Sequence, residues 1–323
     1  MGLTRRNFLK GAAAGGAVAA CAAAATGPAD ARENKTLPPK ATGLLYDSTL
    51  CIGCKACVVA CREANDTQPE FNTADKLWDT PLDLSGDTLN VIKVYSDGTA
   101  EYKDQEKDGF AFIKKSCMHC VDPSCVSVCP VSAMRKDTET GIVRNDPSAC
   151  IGCRYCVAAC PFGVPRFQFD RAFPRIRKCE QCSERQAQGK IPACAEVCPT
   201  GATLFGPVGA LRDEAERRRA LTAGQVTTFS RKTVGSDDVH EKPVAAYVPH
   251  TYGMTEMGGT QMLMLAGVPF DKLGYPALRQ RSYAAESETL QGTVYKGMLA
   301  PAVLLGGLLY VAHKNTDNDH EED

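Results

Sequence analysis

Sixteen of the seventeen cysteines in this 323-residue chain fall into four quartets. They read Cys51-x2-Cys54-x2-Cys57-x3-Cys61, Cys117-x2-Cys120-x4-Cys125-x3-Cys129-Pro130, Cys150-x2-Cys153-x2-Cys156-x3-Cys160-Pro161 and Cys179-x2-Cys182-x11-Cys194-x3-Cys198-Pro199. Thiolates two residues apart line a tight loop that wraps one cubane iron-sulfur cluster, and a further cysteine before a proline is thrown onto a neighbouring cluster. The spacing therefore implies four [4Fe-4S] clusters and one-electron chemistry. A structural zinc site uses one or two C-x2-C pairs separated by a long gap and has no use for a cysteine three positions on. The fourth quartet tolerates that reading and the third does not. Disulfide frameworks belong to short chains, and cysteines two apart are poorly placed to bridge.

The rest of the composition is that of a folded carrier. Hydrophobic residues make up 44% and charged residues 23%, ordinary values for globular chains, and the length implies about two domains. The formal net charge of -1 counts cysteines as neutral; four oxidised cubes at about -2 each would bring it to about -9. Lys114, Lys115, Arg135, Lys136, Arg154, Arg175, Arg177 and Lys178 could offset that charge locally, although each taken singly reads first as solvated surface.

Both ends carry signals. Thr4-Arg5-Arg6-Asn7-Phe8-Leu9-Lys10 precedes an uncharged run to Thr26 and a small-residue cleavage site at Ala29-Asp30-Ala31, the tripartite layout of an export signal. The arginine pair resembles a twin-arginine signal, which exports folded proteins, as a chain filled with clusters in the cytoplasm requires. Cys21, left over from the quartets, follows a lipoprotein-like Val18-Ala19-Ala20 and is a candidate for lipidation. Near the other end, Gly297 to Ala312 is uncharged and predicts a short transmembrane helix stretched by flanking lysines. His313-Lys314 puts the acidic tail inside by the positive-inside tendency.

Between the ends, Val91-Ile92-Lys93-Val94-Tyr95 and Thr99-Ala100-Glu101-Tyr102 flank Ser96-Asp97-Gly98 and predict a hairpin. Ile142-Val143-Arg144 predicts a short strand. Each quartet pair reads as a ferredoxin-like repeat of cysteine loop, short helix and strand, with Val131 to Met134 and Gly201 to Leu204 following the Cys-Pro pairs. Val208 to Ala223 predicts a solvated helix with a charged face of Arg212, Glu214, Glu216 and Arg217 to Arg219. Residues 225–290 show little periodicity, which predicts an extended segment along this protein's surface or a partner's.

Leu44-Leu45-Tyr46-Asp47-Ser48-Thr49-Leu50-Cys51, Cys117-Met118-His119-Cys120-Val121-Asp122-Pro123 and Thr293-Val294-Tyr295-Lys296-Gly297-Met298, with the quartets, the Gly258-Gly259-Thr260 and Val268-Pro269-Phe270 segments and both end signals, carry a family resemblance. The chain resembles the iron-sulfur subunits of hydrogenase-2 type, membrane-bound nickel-iron hydrogenases. The resemblance implies an α+β fold of tandem ferredoxin domains binding four cubane clusters, with a hairpin insertion, an extended C-terminal region and one C-terminal transmembrane helix. It divides the chain into a signal peptide (1–31), a double-ferredoxin domain (32–206, insertion 62–116), a partner-binding region (207–290), an anchor (291–314) and a cytoplasmic tail (315–323). It also implies a relay between the small and large subunits of the hydrogenase and a quinone-reactive membrane subunit, on the periplasmic side of the inner membrane, held to the lipid bilayer by a single span. No nucleic-acid partner is implied.

Spacing alone allows adjacent quartets to exchange their last ligands in sequence. The borrowing rule with the resemblance implies nested pairing instead: Cys51, Cys54, Cys57 with Cys198; Cys179, Cys182, Cys194 with Cys61; Cys117, Cys120, Cys125 with Cys160; and Cys150, Cys153, Cys156 with Cys129. The alternative inside the same superfamily is the electron-transfer subunit of a molybdopterin oxidoreductase or of a nitrite-reducing complex. A free-standing enzyme has no support, because the sequence holds no dinucleotide fingerprint, phosphate-cradling glycine loop or histidine pair at metal spacing. His119, between two cysteines, reads as a hydrogen-bond donor to the ligands or an exposed residue and not as a ligand.

Overall fold

The computed structural model describes residues 31–70 and 79–317. The expected twin-arginine signal, Cys21 and the end of the acidic tail lie outside them. Two compact units are present, one of Asn34–Ala284 and one formed by the two ends of the chain.

The larger unit is built around strand β1 (Thr42–Asp47), whose Leu44, Leu45 and Tyr46 are all buried. A strand covered on both faces reads as a continuous apolar run, as here. β9 (Thr203–Pro207) pairs with it antiparallel, Leu45 opposite Leu204, and β12 (Met262–Leu265) pairs in parallel, Leu45 opposite Leu263. Met262 through Ala266 are all fully buried. The expectation of an extended surface segment therefore fails for this stretch: four successive apolar side chains need cover on both sides, and a central sheet gives it.

One face of this sheet is covered by α6 (Val208–Arg219), which buries Val208, Leu211, Ala215 and Arg218 at helical spacing. Arg218 was expected in solvent. Instead it is fully buried, with Nη1 3.0 Å from Asp47 Oδ2 and Nε 2.7 Å from Glu214 Oε1. The Tyr247 hydroxyl also donates to Asp47 Oδ2, at 2.8 Å. Such a charge survives burial only because it is paired and hydrogen-bonded.

The insertion forms a second sheet of β2 (Val91–Ser96), β3 (Tyr102–Lys103) and β4 (Gly109–Lys115). β2 pairs antiparallel with β4, and not with the Thr99 to Tyr102 segment that the Asp97-Gly98 turn suggested. Ala111, Phe112 and Ile113 bury apolar surface that Thr99-Ala100-Glu101-Tyr102 lacks. Ribbons complete the unit: β5 (Met134–Lys136) with β6 (Val143–Asn145), β7 (Arg166–Phe167) with β8 (Ile176–Arg177), and β10 (Val226–Ser230) with β11 (Val239–Pro243).

In the terminal unit, the helix α7 (Tyr283–Asp317) runs through Pro301, and Arg32 Nε lies 2.6 Å from Glu288 Oε2. Leu290, Val294, Met298, Val303, Leu305 and Leu309 are exposed. Among the described residues no helix is long and apolar enough to cross a membrane, so the expected single-pass anchor is not shown. The uncharged run from Gly297 to Ala312 extends only about 24 Å at 1.5 Å per residue, against about 30 Å of hydrocarbon.

Candidate cluster-binding site

Four short helices and one longer one set the cysteines in place. α1 (Ala56–Asn65) carries Cys57 and Cys61, four residues apart and so on one face. It packs against α5 (Ala193–Glu196), which carries Cys194 and is followed by Cys198. Beside this pair open two cavities, one lined by Cys51, Cys54, Cys57 and Cys198, and one lined by Cys61, Cys179, Cys182 and Cys194. Cys182 precedes α4 (Ser183–Ala187) in a left-handed conformation.

The arrangement repeats on α2 (Ser124–Ser127), with Cys125 and then Cys129, and α3 (Tyr155–Ala158), with Cys156 and then Cys160. These helices also pack together. A third cavity is lined by Cys129, Cys150, Cys153 and Cys156. The remaining four meet around Cys120, which is half-buried and faces Cys160, Cys125 and Cys117.

The loops explain the spacing. In Cys51-Ile52-Gly53-Cys54-Lys55-Ala56-Cys57, Gly53 has φ +69° and Lys55 φ +59°; in Cys150-Ile151-Gly152-Cys153-Arg154-Tyr155-Cys156, Gly152 has φ +70° and Arg154 φ +65°. Two left-handed residues in each seven-residue loop curl it so that its three cysteines line one cavity. The backbone N–H of Gly53 donates to Cys51 Sγ, that of Gln181 to Cys179 Sγ and that of Met134 to Cys129 Sγ, each at 3.4 Å. Amides aimed at sulfur are among the groups that set a cluster's potential.

The four groups form a row. Cys57 of the first faces Cys194 of the second; Cys179 of the second packs with Cys117 of the third; and Cys125 of the third faces Cys156 of the fourth. Exposed cysteines stand at both ends, Cys54 in the first group and Cys153 in the last.

The donor set tests what these cavities could hold. Among the described residues no group of three or more Cys, His, Asp or Glu closes tightly enough for a single metal ion. Thiols ringed about a space suit a cluster whose iron-sulfur core sits between them. Burial pushes Cys57 and Cys61 up to about 12 and Cys156 up to about 11, with neighbouring cysteines adding to the shift in each case. Bare thiols here stay protonated at neutral pH, so loading with iron releases protons.

Of the eight basic residues, Lys114 and Lys178 are buried and Lys136 half-buried, whereas Arg135, Arg154 and Arg175 are exposed. Lys178 Nζ donates to the carbonyls of Val143 and Cys179. Lys136 Nζ donates to Cys120 O at 3.0 Å, Gly141 O at 2.8 Å and Gln261 Oε1 at 2.9 Å, and burial lowers it to about 8. His119 is buried too; its Nδ1 accepts from the Val143 N–H at 3.0 Å, and burial, then Lys178 and Lys136, hold it well below the usual histidine range. It is a neutral acceptor at Nδ1, which corrects the exposed alternative. Gln261 escaped the sequence reading, yet its Nε2 bridges Thr42 O and Thr140 O at 2.6 and 2.8 Å. The only signal was a polar pair, Thr260-Gln261, directly before an apolar run.

A family profile described as a 4Fe-4S dicluster domain matches residues 109–208. The hydrogenase-2 operon protein HybA of Escherichia coli O157:H7 is 46% identical over 330 residues, covering 99% of this chain and 98% of its own, and that of Shigella flexneri matches equally. This chain belongs to the HybA family. The nitrate-inducible formate dehydrogenase iron-sulfur subunit of Escherichia coli K12 is 38% identical over 195 residues, 60% of this chain and 63% of its own length. The likeness to HybA proteins thus runs through both ends, and the likeness to formate dehydrogenase subunits covers a part.

Proposed function

We propose that the chain is a wire for single electrons, with a [4Fe-4S] cubane in each cysteine group. Cys51, Cys54, Cys57 and Cys198 would hold the first and Cys61, Cys179, Cys182 and Cys194 the second. Cys117, Cys120, Cys125 and Cys160 would hold the third and Cys129, Cys150, Cys153 and Cys156 the fourth. The observation that carries this reading is the row itself, closed in the middle and reaching the surface at Cys54 and Cys153. Bound cubanes accept and release one electron each. The protein fixes their spacing through the two helix pairs, excludes water with the central sheet, aims backbone amides at the sulfurs and sets buried ammonium groups beside the cysteine groups. It supplies no substrate site of its own.

On this reading the wire joins the small and large subunits of a nickel-iron hydrogenase to a quinone-reactive, multi-helix membrane subunit. Arg5-Arg6 directs export of the filled chain, which works on the periplasmic side of the inner membrane. Support for the hydrogenase partner comes from the full-length likeness to HybA. The test is purification in mild detergent with iron analysis and identification of bound subunits. About 16 irons per chain and a copurifying nickel-iron pair are expected. A molybdopterin subunit in its place would move the chain to the formate dehydrogenase type.

A further inference from the structure

Lys114 lies on β4 opposite Ile92, and only 1% of it is exposed. The Tyr275 hydroxyl donates to its carbonyl at 2.5 Å, which fixes the backbone from which the side chain projects. The Nζ atom reaches Thr203 Oγ1 at 3.4 Å. Lys114 lines the cavity of Cys61, Cys179, Cys182 and Cys194, and Thr203 lines that of Cys51, Cys54, Cys57 and Cys198. This one hydrogen bond crosses the wall between two cysteine cavities.

Among the described residues the ammonium has no carboxylate partner within 4.0 Å. Lys93 and Lys103, on the same sheet, each pair with an aspartate. A buried ammonium without an anion is several kcal/mol unfavourable, and such a group normally gives up its proton. The groups facing this one are Cys194 and Cys57, one from each cavity. The missing anion must therefore come from what the cysteines hold.

We propose that Lys114 is a counter-ion shared by the first and second clusters, a positioning residue that raises both reduction potentials and offsets the repulsion between electrons on neighbouring cubes. The inference rests on the cluster reading above. Each cube gains one negative charge on reduction, so a fixed cation at low dielectric stabilises the reduced state more than the oxidised one. Because the ammonium lies between two cysteine cavities, its removal should lower two potentials together and leave the other two.

The experiment is an EPR-monitored redox titration of the full-length protein, with iron content measured on the same samples. In Lys114→Gln, the reduction equilibrium constants of two of the four signals should fall at least tenfold, about 59 mV for a one-electron couple. Lys114→Arg should restore both to within about threefold, and Lys115→Met should move none. A fully loaded Lys114→Gln protein whose signals stay in place, or all shift equally, would overturn the proposal. Should that variant load poorly, Thr203→Val loosens the same ammonium without removing it. A smaller fall confined to two signals then supports the proposal, and no fall refutes it. Wild-type protein without cubane signals would instead overturn the cluster reading, and this inference with it.

Discussion

The two cysteine loops with nearly the same sequence sit in very different surroundings. Cys51-Ile52-Gly53-Cys54-Lys55-Ala56-Cys57 is backed by the central sheet and the insertion, and a Cβ on Gly53 would lie 2.4 Å from Phe112 Cε1. Cys150-Ile151-Gly152-Cys153-Arg154-Tyr155-Cys156 is backed by two-stranded ribbons, and a Cβ on Gly152 would meet Phe167 no closer than 3.5 Å. Around the second loop Ile151, Tyr155, Phe169 and Phe173 are exposed, and Arg154 lies over the rings of Phe167 and Phe169. The local motif dictates the same backbone turns in both places. What lies behind the motif decides how firmly they are held.

Losing a ligand has the largest expected effect and tests both loops alike. If the last cysteines are exchanged as proposed, Cys198→Ala and Cys54→Ala abolish the same EPR signal, and Cys129→Ala and Cys153→Ala abolish another. Iron should fall by about four per chain in each case. Loss of the Cys54 signal on removing Cys129 would establish sequential pairing and break the comparison at its root.

Next comes pH, in protein stripped of iron. Cys57 and Cys61 hold their protons more tightly folded, at about 12, than at the ordinary thiol value of 9.0. Unfolding therefore releases protons, and stability from this source is complete below pH 9 and lost as pH rises through about 12. Cys156, raised to about 11, contributes over a narrower window. Thermal melts of the stripped chain from pH 7 to 11 should show a continuous fall above pH 9. A flat profile would mean that burial does not hold these thiols protonated in the folded chain.

Charge removal sharpens the contrast further. Arg218→Met leaves Asp47 buried without its partner and should cost about 3–5 kcal/mol in chemical denaturation. Arg154→Ala gives up an exposed cation–ring contact worth about 0.5–1 kcal/mol. The smallest difference is between the glycines. Both alanine variants strain a left-handed residue by about 1–2 kcal/mol, and Gly53→Ala adds overpacking against Phe112 of about 1–3 kcal/mol. Equal losses at Gly53 and Gly152 would remove the packing argument.

The cysteines and their loops were legible because cluster chemistry constrains residues a few positions apart. Long-range placement was not. Met262-Leu263-Met264-Leu265 is a short apolar run with no period of its own, and only its partner β1, more than two hundred residues earlier, makes it a strand. Asp97-Gly98 correctly signalled a turn, yet the returning strand came later, where Phe110 to Ile113 offered more surface to bury. Arg218 and Lys114 read as solvent-facing because sequence gives a charge without its neighbours. The span at Gly297 to Ala312 was inferred from lack of charge, and no described helix is long and apolar enough to show it.

The nesting of one helix pair inside the other bears on the order in which the molecule can be made. α2 and α3 both leave the ribosome by Ala158 and can pair across a short stretch of chain, so their loop-closure entropy is modest. α1 is synthesised first but must wait for α5, ending at Glu196, and its sheet for β12, ending at Leu265. The open, ribbon-backed half is thus the first that can mature on a nascent chain, while the sealed half, made partly from the oldest residues, closes last.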